Sequence, residues 1–212
     1  AVAKTLEIET GASITANSFT ITISGAGGAW INDGTFTPGT STVSFNHGVS
    51  NEIVTVAGIT NFYNVLIGAN TSLVPVPGCT FRIAGAASGT PTSQADWSAV
   101  NSTVEWNGVN QNINNPQGIG GNSGYYNLIL SGSGTKTMPS SAMTIHGDFN
   151  TSGTTSATAA DSIIVLGNTS IGSGSTFATG SFHHLLGGNF ENNGTFTPTT
   201  GGNVTFVGTT AQ

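Results

Sequence analysis

Nine carboxylates, four histidines and one cysteine are the side chains of this chain that could do chemistry, and their spacing decides which chemistry is open to them. Glycoside hydrolysis needs two carboxylates facing each other across a cleft, and a lyase needs a base beside a cation or metal. Glu7, Glu9, Asp33, Glu52, Asp96, Glu105, Asp148, Asp161 and Glu191 are dispersed, and the three strong cations, Lys4, Arg82 and Lys136, are far from one another in sequence. Similar segments do not keep them: Glu105 of "VEWN" (104–107) stands where "VSFN" (43–46) has Ser44 and "VTFV" (204–207) has Thr205. No catalytic residue is assigned, and the chain is not read as an enzyme. His183-His184 is the strongest metal candidate. Neighbours on a strand point to opposite faces, so the two imidazoles are not expected to share an ion, and His184 reads as a core histidine with a hydrogen-bond partner. Asp33-Gly34 and Asn193-Gly194 lack the several carboxylates of a calcium loop and read as corners. No metal and no cofactor is expected. Cys79 is the single cysteine, which rules out an internal disulfide.

The balance of charge narrows the partners. Net charge is −6 with three Lys and Arg together, whereas a phosphate backbone or an anionic membrane surface calls for clustered cations. Nucleic acid is not expected as a partner. The longest apolar runs, such as "IIVL" (163–166), fall far short of a membrane span. The chain opens "AVAKTLEIET" with no basic, apolar leader, so a secreted protein would have lost its signal already. Six N-x-Ser/Thr sequons, at Asn70, Asn101, Asn150, Asn168, Asn193 and Asn203, are about as many as so Asn- and Thr-rich a chain contains by chance.

The elements that must position these residues are strands. Apolar residues alternate, and Gly, Asn and β-branched residues interrupt every window long enough for a helix. "LEI" (6–8), "FTITI" (19–23), "VSF" (43–45), "VEW" (104–106), "NLIL" (127–130) and "VTF" (204–206) read as short strands between Gly-, Asn- and Ser-rich corners. The chain also repeats itself. "WINDGTFTPGTSTVSF" (30–45) returns as "FENNGTFTPTTGGNVTF" (190–206), "FYNVLI" (62–67) as "YYNLIL" (125–130), and "GASITANSFTITISG" (11–25) as "GSTFATGSFHHLLGG" (174–188). A unit of about 20 residues cannot bury its own apolar face, but a stack of such units can. The expected fold is all-β: a right-handed parallel β-helix (β-solenoid) of about ten coils, a rod of about 50 Å, forming a single domain over 1–212. Phe19, Phe36, Phe45, Trp106, Met143, Phe182 and Phe206 are expected to point inward. The alternative is an antiparallel β-sandwich, which also shows short strands at even spacing.

Thr pairs such as "TIT" (20–22) and "TFT" (35–37, 195–197) raise ice binding, which requires an unbroken Thr ladder. The repeat alignment sets Thr20 and Thr22 against His183 and Leu185, so the ladder is expected to break.

"NDGTFTPGTSTVSFNHG" (32–48), "NNGTFTPTTGGNVTFVG" (192–208) and the "FYNVLI"/"YYNLIL" pair resemble the repetitive surface proteins of bacteria and archaea with right-handed parallel β-helix folds. The resemblance implies an extracellular or cell-surface location and a part in adhesion, surface layers or fibres, and it brings no catalytic residues. A solenoid without caps leaves apolar interior and unpaired backbone at both tips. The expected function is therefore a structural subunit that stacks head to tail on copies of itself. Its junction is assigned to Val2, Leu6 and Ile8 at one tip and Val204, Phe206 and Val207 at the other, with 1–10 as a strand-exchange segment. The competing expectation is an adhesin segment gripping surface glycans through Trp97 and Tyr125.

Overall fold

The computed structural model describes residues 2–25, 27–46, 52–89, 94–116 and 124–208. It is an all-β parallel solenoid of about nine turns; among the described residues there is no helix and every strand pairing is parallel. The antiparallel sandwich is thereby excluded.

The chain visits three faces in cyclic order. The first face stacks β1 (Val2–Ala3), β4 (Thr20–Ile23), β7 (Thr42–Phe45), β9 (Asn64–Ile67) and β12 (Ala87–Gly89). After a break it continues with β15 (Gln111–Asn112), β17 (Ser133–Thr137), β20 (Thr154–Thr158), β23 (Thr176–Ala178) and β26 (Thr195–Thr197). The second face carries β2 (Thr5–Ile8), β5 (Ala29–Asn32), the first half of β8 (Glu52–Phe62), β10 (Thr71–Pro75) and β13 (Gln94–Ala95). Single bridges Trp97–Tyr125 and Tyr125–Ile145 carry it on to β18 (Met143–Ile145), β21 (Ile163–Val165), β24 (His183–Leu186) and β27 (Asn203–Phe206). The third face holds β3 (Ser13–Thr15), β6 (Thr35–Thr37), the second half of β8, β11 (Thr80–Ile83), β14 (Thr103–Trp106), β16 (Asn127–Leu130), β19 (Phe149–Thr151), β22 (Thr169–Ile171) and β25 (Phe190–Asn192).

Alternation along each strand sends every second side chain inward, as in Val104 and Trp106 of β14 or Leu128 and Leu130 of β16. The inward rings form a spine: edge-to-face contacts join Trp30 to Phe62 at 5.2 Å, Phe62 to Phe81 at 6.3 Å and Phe81 to Trp97 at 5.4 Å, and a tilted contact joins Trp97 to Tyr125 at 5.6 Å. A second run joins Phe149 to Phe177 at 5.2 Å and Phe177 to Phe196 at 6.4 Å. Of the residues expected inside, Phe36, Phe45, Trp106 and Met143 are buried, Phe182 is half-buried, and Phe19 is 69% exposed. Phe19 precedes β4 and lies outside its alternation, which begins at Thr20.

The corners close by two devices. Asn17, Asn70 and Asn101 adopt the left-handed conformation, as corner asparagines can. Elsewhere a carboxamide or carboxylate on one coil accepts from the backbone of the next. Asn127 Oδ1 takes the Asp148 N–H at 2.9 Å, Asp148 Oδ1 the Asn168 N–H at 2.7 Å, and Asn168 Oδ1 the Asn189 N–H at 3.0 Å. Glycines fill the same corner because coils stack so closely: a Cβ on Gly167 or Gly188 would sit 2.5 Å from the carbonyl oxygen of the glycine one coil back.

The repeated sequence segments do not stack on one another. "VSF" lies on the first face, "VEW" on the third and "VTF" on the second. "GASITANSFTITISG" runs from third face to first, and its copy at 174–188 from first to second. The repeated unit is a strand, a corner and the next strand, and successive copies are rotated by one face.

Candidate functional site

Three surface features stand out on this scaffold: the two tips, a hydroxyl ladder on the first face, and a cleft where that face breaks.

Among the described residues β25, β26 and β27, at the C-terminal tip, each pair on one side only. Phe206 is 52% and Val207 48% exposed, and Val204, Phe190 and Phe196 are partly buried. At the other tip Val2 is 74% exposed and Leu6 half-buried. Ile8 departs from its assignment to the junction. It lies at the inward end of β2, in register with Asn32, and is 1% exposed in the chain's own core. Residues 2–8 form β1 and β2, paired to β4 and β5 of the same solenoid, so the proposed exchange segment is seated at home.

Trp97 and Tyr125 are not surface residues, and their assignment as glycan contacts is corrected: both are fully buried. They are neighbouring rungs of the second face with rings 5.6 Å apart. The Tyr125 hydroxyl donates to the Asn114 carbonyl at 2.6 Å, and burial pushes its ionisation far above the ordinary tyrosine value.

The two histidines of β24 point apart. His183 is exposed and bonds Thr205 at 2.8 Å. His184 is buried, with Nδ1 accepting from the Ile163 N–H at 3.1 Å and Nε2 donating to the Thr179 carbonyl at 2.7 Å. Those roles fix the neutral tautomer. Burial lowers its basicity and the nearby His183 adds to this, against the opposing Thr179 carbonyl. Among the described residues no three His, Cys, Asp or Glu side chains converge as metal ligands do.

The scattered charges are not all isolated. Arg82 and Glu105 are register partners on β11 and β14, with Nε to Oε2 at 2.6 Å, and Ser131 donates to Glu105 Oε1 at 2.6 Å. Lys136 points inward from β17 and is fully buried; its Nζ donates to the Gly108 carbonyl at 2.6 Å and to Gln111 Oε1 at 2.7 Å. Without a carboxylate among those partners, burial pulls its pKa down to about 8. Sequence gave one clue to this: "TKT" puts a lysine at the inward position between two outward threonines. Cys79 is also buried, its thiol pushed up to about 12.

The Thr pairs align over part of the first face and break elsewhere, since Thr42 and Ser44 are followed by Asn64 and Leu66 and the second column below is interrupted at Ala178. On the first face Thr135, Ser156, Thr176 and Thr195 occupy successive rungs, flanked by Thr137, Thr158, Ala178 and Thr197. At the other end Thr20 and Thr22 stand beside Thr42 and Ser44, not beside residues of β24.

The cleft opens between β12 and β15. These follow each other on the first face, yet among the described residues β12 pairs only with β9 and β15 only with β17. At the preceding corner Gly108 abuts the Ala84 carbonyl so closely that no Cβ fits, and beyond it the strands splay. The space is about 790 Å³, lined by Tyr63, Asn64, 84–88, 108–112, Thr135 and Thr137. Every lining residue is uncharged. Gln111 backs it: its Nε2 donates to the carbonyls of Ile83 (2.7 Å) and Gly85 (2.8 Å), and its Oε1 accepts from the Gly108 N–H (2.8 Å) and Lys136.

No family model, curated protein or solved structure matches this chain. Its class is that of the parallel β-solenoids, defined by its own pairing pattern.

Proposed function

We propose that this protein is an extracellular structural subunit whose rod stacks tip to tip on further copies of itself. One observation carries the reading: among the described residues the interior aromatic run reaches the C-terminal tip and emerges in Phe206 and Val207, both about half exposed, beside strands that pair on one side only. Exposed apolar residues next to open strand edges are an association surface in water. A contact between two different tips is heterologous and propagates into a fibre. Negative-stain imaging of the purified chain at rising concentration is expected to show rods lengthening in steps of one subunit. Phe206→Asp with Val207→Lys touches only exposed positions and is expected to hold the protein as single rods with an unchanged circular-dichroism spectrum. Fibres of undiminished length from that variant would count against tip stacking.

A second reading is favoured by the hydroxyl ladder. A continuous hydroxyl column of Thr135, Ser156, Thr176 and Thr195, beside Thr137, Thr158 and Thr197 with a gap at Ala178, at about 4.8 Å between rungs, presents an array on which ordered water can be templated, so the first face is an ice-binding surface under this reading. Thermal hysteresis abolished by Thr158→Lys and Thr176→Lys, at solvent-facing positions, is its test; hysteresis absent from the unaltered chain removes it.

A further inference from the structure

We propose that the cleft between β12 and β15 binds a neutral oligosaccharide. The site lies on the flank of the rod, away from both tips, so it is independent of tip stacking. Three observations lead to it.

The cleft is built and held, not merely left over. Its two amide side chains nearest the rim are fixed by backbone contacts: Asn64 Oδ1 accepts from the Ala86 N–H at 3.0 Å, and Asn110 Oδ1 accepts from the Thr135 N–H at 2.8 Å. Gln111, at the back, is 4% exposed and has all its polar atoms engaged, so Lys136 and two carbonyls of the preceding coil lock the wall in place. Preorganised polar groups lose little entropy when a ligand arrives.

The chemistry is that of a sugar site. Amides, hydroxyls and one aromatic side chain line the walls together with small apolar residues, with Asn110, Asn112, Thr135 and Thr137 exposed and Tyr63 half-buried. In a chain of net charge −6 none of the lining side chains is charged, and the one cation behind them, Lys136, is fully buried with its Nζ engaged by the Gly108 carbonyl and Gln111. A charged ligand finds no exposed counter-charge there, whereas a neutral polyhydroxyl chain meets amides, hydroxyls and an aromatic ring.

The shape argues against a peptide strand. Inserting a strand requires two rails separated evenly along their length. This cleft is closed at its corner, where a Cβ on Gly108 would collide with the Ala84 carbonyl, so two even rails do not run its whole length.

The same local motif recurs without a cleft. Tyr126-Asn127 sits beneath Gly147 as Tyr63-Asn64 sits beneath Gly85, with each asparagine accepting from the coil above. Above Asn127 the Asp148–Asn168 ladder continues; above Asn64 the first face breaks. The break, not the motif, makes the site.

The test is isothermal titration of the full chain with cellohexaose, laminarihexaose, mannohexaose and chitohexaose, with oligogalacturonate and a valine-rich heptapeptide as charged and strand-forming controls. Saturable binding of at least one neutral hexaose is expected. Asn112→Ala is expected to weaken it about tenfold, the loss of one or two hydrogen bonds. Ser88→Trp, which fills the cleft from an exposed position without entering the core, is expected to abolish it while melting like the parent. Binding that survives Ser88→Trp, binding of the heptapeptide alone, or no neutral ligand among the four would each overturn the proposal.

Discussion

The segments 30–45 and 190–206 are nearly the same sentence, yet one lies inside the rod and the other at its tip. Trp30, Phe36 and Phe45 are buried, while their counterparts Phe190 and Phe196 are half-buried and Phe206 is 52% exposed. The first copy has coils above and below: β5 sits between β2 and β8, and β7 between β4 and β9. The second has β22, β23 and β24 on one side only. A motif thus specifies a strand, a corner and a strand, whereas the adjoining coils specify what that strand is worth.

The sharpest way to break this comparison is truncation at equivalent positions. Phe45→Ala is expected to cost about 3–5 kcal/mol in chemical denaturation, and Phe206→Ala within about 0.5 kcal/mol for dispersed rods. Equal losses would mean that the tip is covered.

The next effect contrasts the polar middle with the apolar ends. Lys136 has a folded pKa of about 8 against roughly 10.4 in an unfolded chain. Between those values the unfolded state keeps a proton that the folded state has released, so stability rises with pH across that window, by about 3 kcal/mol at most. Below pH 8 both states are protonated and the burden of the buried charge is constant. Denaturant midpoints from pH 7 to 10.5 should show the rise, and Lys136→Met should flatten it. His184 acts at the other end of the scale. Its lowered basicity means that acidification below its ordinary range, about pH 6.5, charges the unfolded state first and erodes stability, an erosion that His184→Gln should reduce.

Smaller still is the effect of adding one methyl group at a corner. Gly167→Ala places a Cβ 2.5 Å from the Gly147 carbonyl and is expected to cost about 1–3 kcal/mol by prising two coils apart. Finally, the first residues of the two copies can be exchanged. Trp30→Phe strips the indole donor from Thr60 Oγ1, a 2.9 Å bond, for about 1–2 kcal/mol. Phe190→Trp, at the partly open tip, is expected to shift the midpoint by less than about 0.5 kcal/mol.

The strands were largely legible. "LEI", "VSF", "VEW", "NLIL" and "VTF" all fall within strands, because alternation with β-branched residues is a local property. His184 as a core histidine was legible for the same reason: its position equals that of Ile21 in "FTITI", and both point inward. Trp97 and Tyr125 were misplaced because a ring's type says nothing about which side of a strand it occupies. The Thr ladder, the Arg82–Glu105 pair and the cleft were hidden because each depends on which residues become neighbours across coils. Coil length varies: Asn150 and Ser170 are register partners 170 − 150 = 20 residues apart, whereas Trp30 and Val56 are 56 − 30 = 26 apart.

By itself, then, the sequence determined that this chain is all strand and corner and must stack to bury its apolar faces, since hydropathy alternation and the conformational freedom of Gly and Asn act within a few residues. Only the tertiary structure decided the rotational phase of each repeat. Corners of unequal length carry identical segments to different faces, and hydrogen bonding between coils fixes which hydroxyls, charges and open edges come together.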